Sequence, residues 1–143
     1  MAALSFPTAD SVDEWLELAD LYRALARQAL ADDTTASAAW SQAGFSLECT
    51  LKAAIMRRER LNAWPSRASR RELYTHKIAD LARVLGMTID EMHPIAPAWA
   101  VVLQWWRDDM YSLRMTRAVA ISLFDAVFSD EDGAAPWIRQ NFL

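Results

Sequence analysis

The sequence predicts an all-α fold, a single up-and-down bundle of four main helices with short extra helices. Three observations carry that expectation. The 143 residues include 26 alanines and 16 leucines against three glycines and five prolines, a mix that favours helix over the turn-rich sandwiches and barrels. Apolar residues recur at three- and four-residue steps through most of the chain. With 53% apolar and 24% charged residues, the chain has enough apolar surface to build one core and is of ordinary length for one domain. The core is expected over about residues 11–128, with a short terminal helix over 135–143.

Ser11-Val-Asp-Glu14 reads as a capping box opening a first helix to about Leu30, with Trp15, Leu18, Tyr22, Leu25 and Ala29 as its apolar stripe. A turn at Asp32–Thr35 leads to a second helix from about Ser37 to Arg60. It carries two apolar stripes, one with Trp40, Leu47 and Leu51 and one with Phe45, Cys49 and Met56, and a narrow polar line of Ser41, Glu48, Lys52 and Glu59. A helix apolar on two sides packs between neighbours, so this is the expected central helix, and Gly44 among alanines permits close approach of another helix. Glu48 and Lys52 form an i,i+4 pair in the favourable order. Pro65 ends this stretch, and Ser66–Tyr74, basic and aperiodic, reads as a loop. A third helix is expected from Thr75 to Leu85, stopped by Gly86; a fourth from about Ala98 to Met110; and a fifth, apolar nearly all round, from Thr116 to Phe128. Pro136 stands in the first turn of the terminal helix, which Trp137 is expected to dock.

Charge is unevenly placed. Residues 1–51 carry a balance of −6, residues 52–83 of +6 and residues 84–143 of −4. Thirteen of the fifteen cations are arginine, whose fork suits phosphate and carboxylate alike. The basic segment reads either as a phosphate contact or as a solvated face neutralised by the acidic ends. Arg67, Arg70 and Arg71, with no acid nearby except Glu72, and Lys77 are the phosphate-binding candidates. The single Cys49 excludes an internal disulfide and a cysteine zinc site, and it lies on a packed face where an inert thiol is expected. With two histidines, no metal centre and no cofactor are expected; the Gly-rich phosphate loops, HExxH and GxSxG are all missing from the sequence. His93, before Pro94, is expected to be exposed. His76 reads either as a general base or as a structural residue at the start of a short helix. Arg107, next to Asp108 and Asp109, is expected to be ion-paired. Seven tryptophans suggest core anchors or base stacking, and Trp105-Trp106 cannot both face one core. No signal segment or spanning helix is visible, so a cytoplasmic protein is expected.

The run Ala43-Gly-Phe-Ser-Leu-Glu48-Cys-Thr-Leu-Lys52-Ala resembles the second helix of HEPN domains, small helical bundles of prokaryotic defence and toxin–antitoxin systems. Tyr74-Thr-His76-Lys-Ile-Ala-Asp-Leu81 is similar to that family's next helix start, with Lys77 where Asp is usual. Trp106-Arg-Asp-Asp-Met-Tyr111-Ser, an apolar helix and Trp137-Ile138 resemble its later segments, so the likeness covers roughly residues 12–140. The apolar excess of the fifth helix and the Trp105-Trp106 pair point to a homodimer, and the resemblance implies a HEPN-like module with RNA, a nucleotide or a partner protein such as a nucleotidyltransferase as its ligand. The family's ribonucleases work without metal through Arg-x4–6-His on the late helix. Here Arg71-Glu-Leu-Tyr-Thr-His76 has that spacing ahead of the third helix, and the late helix offers Arg107 and Tyr111 without a histidine. The catalytic motif therefore reads as degenerate. A binding module is the first functional reading, a metal-independent endoribonuclease using Arg71 and His76, with Arg107 or Tyr111, the second, and a structural adaptor the third.

Overall fold

The computed structural model describes residues 3–143 as six α-helices joined by turns, with no strand among the described residues. Helix α1 spans Val12–Ala29. Ser11 caps it, its hydroxyl accepting from the Glu14 N–H at 3.1 Å, and the Glu14 carboxylate turns back to the Asp10 N–H at 3.0 Å, one residue before the position a capping box assigns. Helix α2 spans Ala36–Glu59 and returns antiparallel to α1. Lys52 lies against Trp15, the Ser46 hydroxyl donates to the Ala19 carbonyl at 2.7 Å, and the Trp64 N–H beyond the end of α2 reaches Asp10 ahead of α1.

The inward seam of α1 differs from the expected stripe. Ala19 and Ala26 are wholly buried with Trp15, Tyr22 and Ala29 beside them, whereas Leu25 is 38% and Leu21 50% exposed. Spacings of four, three, four and three residues make this a heptad seam of small and large residues. The alanines let the two backbones come close enough for Ser46 to bond across, and that close approach selects them over the leucines.

Helix α2 is central as expected, packing on α1 and on four further elements described below. Leu47, Leu51 and Ile55 have essentially no exposure, and the polar line is buried too, with Ser41, Glu48 and Lys52 inside and only Glu59 at the surface. Gly44 receives an indole rather than a helix: a Cβ there would stand 1.9 Å from Cε2 of Trp105. Arg60, with φ of 55°, closes α2 in the left-handed conformation, and the Leu61 N–H bonds back to Met56.

The 61–77 connector contains one 3-10 turn, Arg71–Leu73, pinned by the fully buried Leu73. Helix α3 runs over Ile78–Leu85, three residues shorter at its start than expected. The cause is His76, whose ring is engaged by Glu48 of α2, while the Thr75 hydroxyl accepts from the Lys77 N–H at 3.1 Å. Ile78, Leu81, Ala82 and Leu85 face inward as the spacing indicates, and Gly86 at φ 84° stops the helix.

The largest departure is in the fourth helix. Helix α4 covers only Ala96–Val102, and a separate 3-10 turn covers Arg107–Tyr111. One continuous helix would set Trp105 and Trp106 roughly 100° apart on its surface. The break at Leu103–Trp106 instead turns Trp105 onto Gly44 at 5% exposure and leaves Trp106 at 41%. Asp109 fixes this arrangement, its Oδ2 accepting from the Trp106 N–H at 3.0 Å and from Trp40 Nε1 at 2.9 Å. Helix α5, Arg117–Phe128, is capped by Thr116. It buries Leu123, Val127 and Phe128, while Arg23 and Arg27 of α1 lie over the rings of Phe128 and Phe124. Helix α6, Ala134–Phe142, is anchored by the wholly buried Ile138. Its Trp137 meets the His93 ring at 4.7 Å, so His93 is half-buried rather than exposed. No helix among the described residues is long and apolar enough to cross a membrane.

Candidate phosphate-binding surface and a buried carboxylate–histidine pair

The connector between α2 and α3 carries most of the basic segment, and the fold sorts its cations into two groups. Arg70 is committed to carboxylates. It makes a forked pair with Glu59 at 2.7 and 3.1 Å and a further bond to Glu72. These contacts, Glu59 first, raise the guanidinium pKa, and the same contact holds the Glu72 carboxyl below its usual range. The expectation that only Glu72 would lie near these arginines is therefore corrected: the loop folds back onto the last residue of α2.

Arg67 and Arg71 have no carboxylate within ion-pair distance among the described residues. Both are exposed and line an open cleft of ≈ 560 Å³ with Ala68 and Tyr74. The Arg67 guanidinium lies 5.4 Å from the centre of the Tyr74 ring, and Tyr74 is held by its hydroxyl donating to the Pro65 carbonyl at 2.6 Å. This cation–π contact seats the Arg67 guanidinium against Tyr74 and leaves its N–H groups free for an anion.

Beside this cleft lies a cluster that sequence spacing alone does not assemble. Glu48, with its side chain 7% exposed, accepts from Lys52 Nζ at 2.9 Å through Oε2 and meets His76 Nδ1 at 2.8 Å through Oε1. Lys52 Nζ sits 5.1 Å from the ring centre of Trp15 and 5.7 Å from that of Trp64, so the buried ammonium has one anion and two π-faces as partners. The acceptor-only carboxylate requires the proton on Nδ1 of His76. The side chain is 46% accessible, and in the neutral tautomer Nε2 is left as an acceptor. Phe45 flanks the imidazole at 6.2 Å. Burial first, then the charges of Cys49 and Glu48, raise the Tyr22 hydroxyl pKa. Burial, followed by the Glu48 charge, pushes the Cys49 thiol up to about 12, which makes it the inert thiol expected.

The structure pairs His76 with Glu48 and gives Arg71 no contact with it; Arg71 faces the cleft. Arg107 is 3.6 Å from Asp108, the neighbour pairing the sequence suggests, and Tyr111 is 72% exposed on the far side of the α4 break, bordering neither cleft nor imidazole. Lys77 Nζ lies 5.6 Å over the ring of Trp106. No group of three or more His, Cys, Asp or Glu residues that could hold a metal occurs among the described residues. Sequence spacing pairs Glu48 with Lys52 and gives no sign of the contact with His76. The available signal was its position: a carboxylate ringed by Leu47, Leu51 and Ile55 on a helix buried all round must find partners inside. Comparison with family models, curated proteins and solved structures finds no match to this chain.

Proposed function

We propose that this chain is a HEPN-like helical module that binds the phosphates of a nucleic acid or nucleotide, acting in a prokaryotic defence or toxin–antitoxin setting. The observation that carries the reading is the Arg67–Arg71 cleft: two exposed guanidiniums free of carboxylates on a chain whose net charge is −4. Arg70, ion-paired on the same loop, is the internal contrast, since it already has its anions. The order of sequence segments supports the HEPN-like assignment. Self-association belongs to the same proposal, because Met110, Leu113 and Val119 leave apolar surface between the 107–111 turn and α5 that a second copy of the chain would cover.

The test is binding of a short labelled RNA strand, followed by fluorescence anisotropy at several salt concentrations. The wild-type chain binds at low salt, and Arg67→Ala with Arg71→Ala weakens binding at least tenfold. The two substitutions together flatten the log–log salt dependence by about 1.4, at roughly 0.7 per phosphate contact on a single strand. Arg70→Ala has a much smaller effect. Equal binding by the wild type and the Arg67/Arg71 variant would remove the cleft from the account.

The Glu48–His76 contact favours a second reading, a metal-independent endoribonuclease. In that reaction His76 Nε2 takes the proton of a ribose 2′-hydroxyl, the oxygen attacks the adjacent phosphorus, and the 5′-oxygen departs with a proton from solvent, leaving a 2′,3′-cyclic phosphate. RNA cleavage in EDTA that falls at least a hundredfold in His76→Ala supports it. Wild-type protein that binds RNA without cleaving it leaves the binding module alone.

A further inference from the structure

We propose that Trp106 is a stacking platform for an unpaired nucleobase, so that the nucleic acid this surface takes is single-stranded. The inference rests on the nucleic-acid reading above and names the form of the ligand. Of the adjacent tryptophans, Trp105 fills the core against Gly44, and that seat forces its neighbour outward to 41% exposure. The exposed indole is not a loose side chain on a mobile tip. The Trp106 backbone N–H is bound to Asp109, and the same carboxylate oxygen is held by Trp40 Nε1 from inside α2. A flat aromatic face is thus held at the surface by a polar contact rooted in the central helix.

What surrounds that face has the composition of a base site. A hollow of ≈ 270 Å³ opens beside it, lined by Lys77, Ala79, Leu103, Gln104 and Trp105. Its lining is mostly apolar, and the exposed Gln104, whose Nε2 donates to the Ala100 carbonyl at 3.5 Å, keeps its carbonyl oxygen and second N–H for a base edge. Lys77 Nζ lies over the indole and has no carboxylate within ion-pair distance among the described residues. Lys77 follows His76, so the cation at the edge of the hollow is chain-adjacent to the imidazole and on the same connector as Arg67 and Arg71. Lys77 is exposed and flexible, so its ammonium can leave the indole for a phosphate as a base takes its place on the ring, and the two side chains together match a base and its phosphate. A duplex keeps its base faces stacked on each other and offers none to an indole, whereas an unpaired strand does.

The experiment uses the full chain, one short labelled RNA strand and its preformed duplex, with Trp106→Ala and Trp106→Phe as variants. The single strand is expected to bind more than tenfold better than the duplex. Trp106→Ala weakens single-strand binding about tenfold or more, Trp106→Phe recovers most of it, and neither changes the salt slope, because stacking releases no counterions. Duplex competing as well as single strand, or Trp106→Ala binding like wild type, would overturn the inference and leave the Arg67–Arg71 cleft standing. Loss of binding accompanied by a change from dimer to monomer in light scattering would overturn it in favour of an interface between copies. A wild-type chain that binds neither strand nor duplex overturns this inference and the reading beneath it together.

Discussion

Glu48→Ala lowers the stability of this chain by about 3–5 kcal/mol, the cost of leaving a buried charge without its partner. The carboxylate accepts from both Lys52 and His76 and is almost closed to water. Its removal strands the Lys52 ammonium, 9% exposed, between Trp15 and Trp64. Thermal unfolding should shift down by roughly 10 °C or more for a chain of this length. The two partners are not equivalent. His76 is half open to water and can be rehydrated where it stands, so His76→Ala destabilises much less. Replacing Glu48 and Lys52 together by leucine and methionine is expected to be far milder than either single change, because no orphan charge remains. A Glu48→Ala variant within about 1 kcal/mol of the wild type would show that the cluster is not closed to water as described.

Gly44→Ala is the second large effect, and its sign is the informative part. At an ordinary interior helix position the change would stabilise by about 1 kcal/mol. Here the new methyl group would stand 1.9 Å from Cε2 and 2.1 Å from Nε1 of the Trp105 indole. The ring cannot retreat freely, since it is buried and edge-on to Phe45 at 5.4 Å. The net expectation is a loss of about 1–3 kcal/mol, with Trp105 displaced and the turn that presents Trp106 displaced with it. Trp105→Leu added to Gly44→Ala restores part of the loss, a coupling that a double-mutant cycle reads directly. A stabilised Gly44→Ala would mean that Trp105 does not sit on α2.

Part of this fold is legible from residue spacing because α1, α3 and α6 are each amphipathic. The start of α1 at Ser11, the inward face of α3 and its stop at Gly86 follow from capping chemistry and three- and four-residue periodicity. Two features are not legible for the same physical reason: a tertiary contact outweighs a local preference. Alanine and leucine are both good helix formers, so nothing local chooses Ala19 and Ala26 over Leu18 and Leu25 for the seam; the approach of α2 does. Likewise Ala98–Met110 contains no residue that must break a helix before Trp105, and it is the seat on Gly44 that breaks it.

The candidate site divides along the same line. Arg67, Arg71 and Lys77 stand out in the sequence as cations in a basic segment, and all three are exposed in the structure. Arg70 carries the same sequence signal and is ion-paired, because Glu59 reaches it across eleven residues through a loop whose path has no local signature. His76 is prominent in the sequence as one of two histidines, but its partner lies 28 residues earlier. The string Arg71–His76 indicates a different pairing from the one the fold makes.

A chemical-shift titration of the isotope-labelled chain with a short RNA strand at low salt tests the phosphate-binding surface residue by residue. The perturbed amides and arginine side chains are expected to gather at Arg67, Arg71 and Tyr74–Lys77, with the Trp106 indole among them and Arg70 nearly silent. Shifts confined to other faces of the bundle, or none at saturating strand, would contradict that surface.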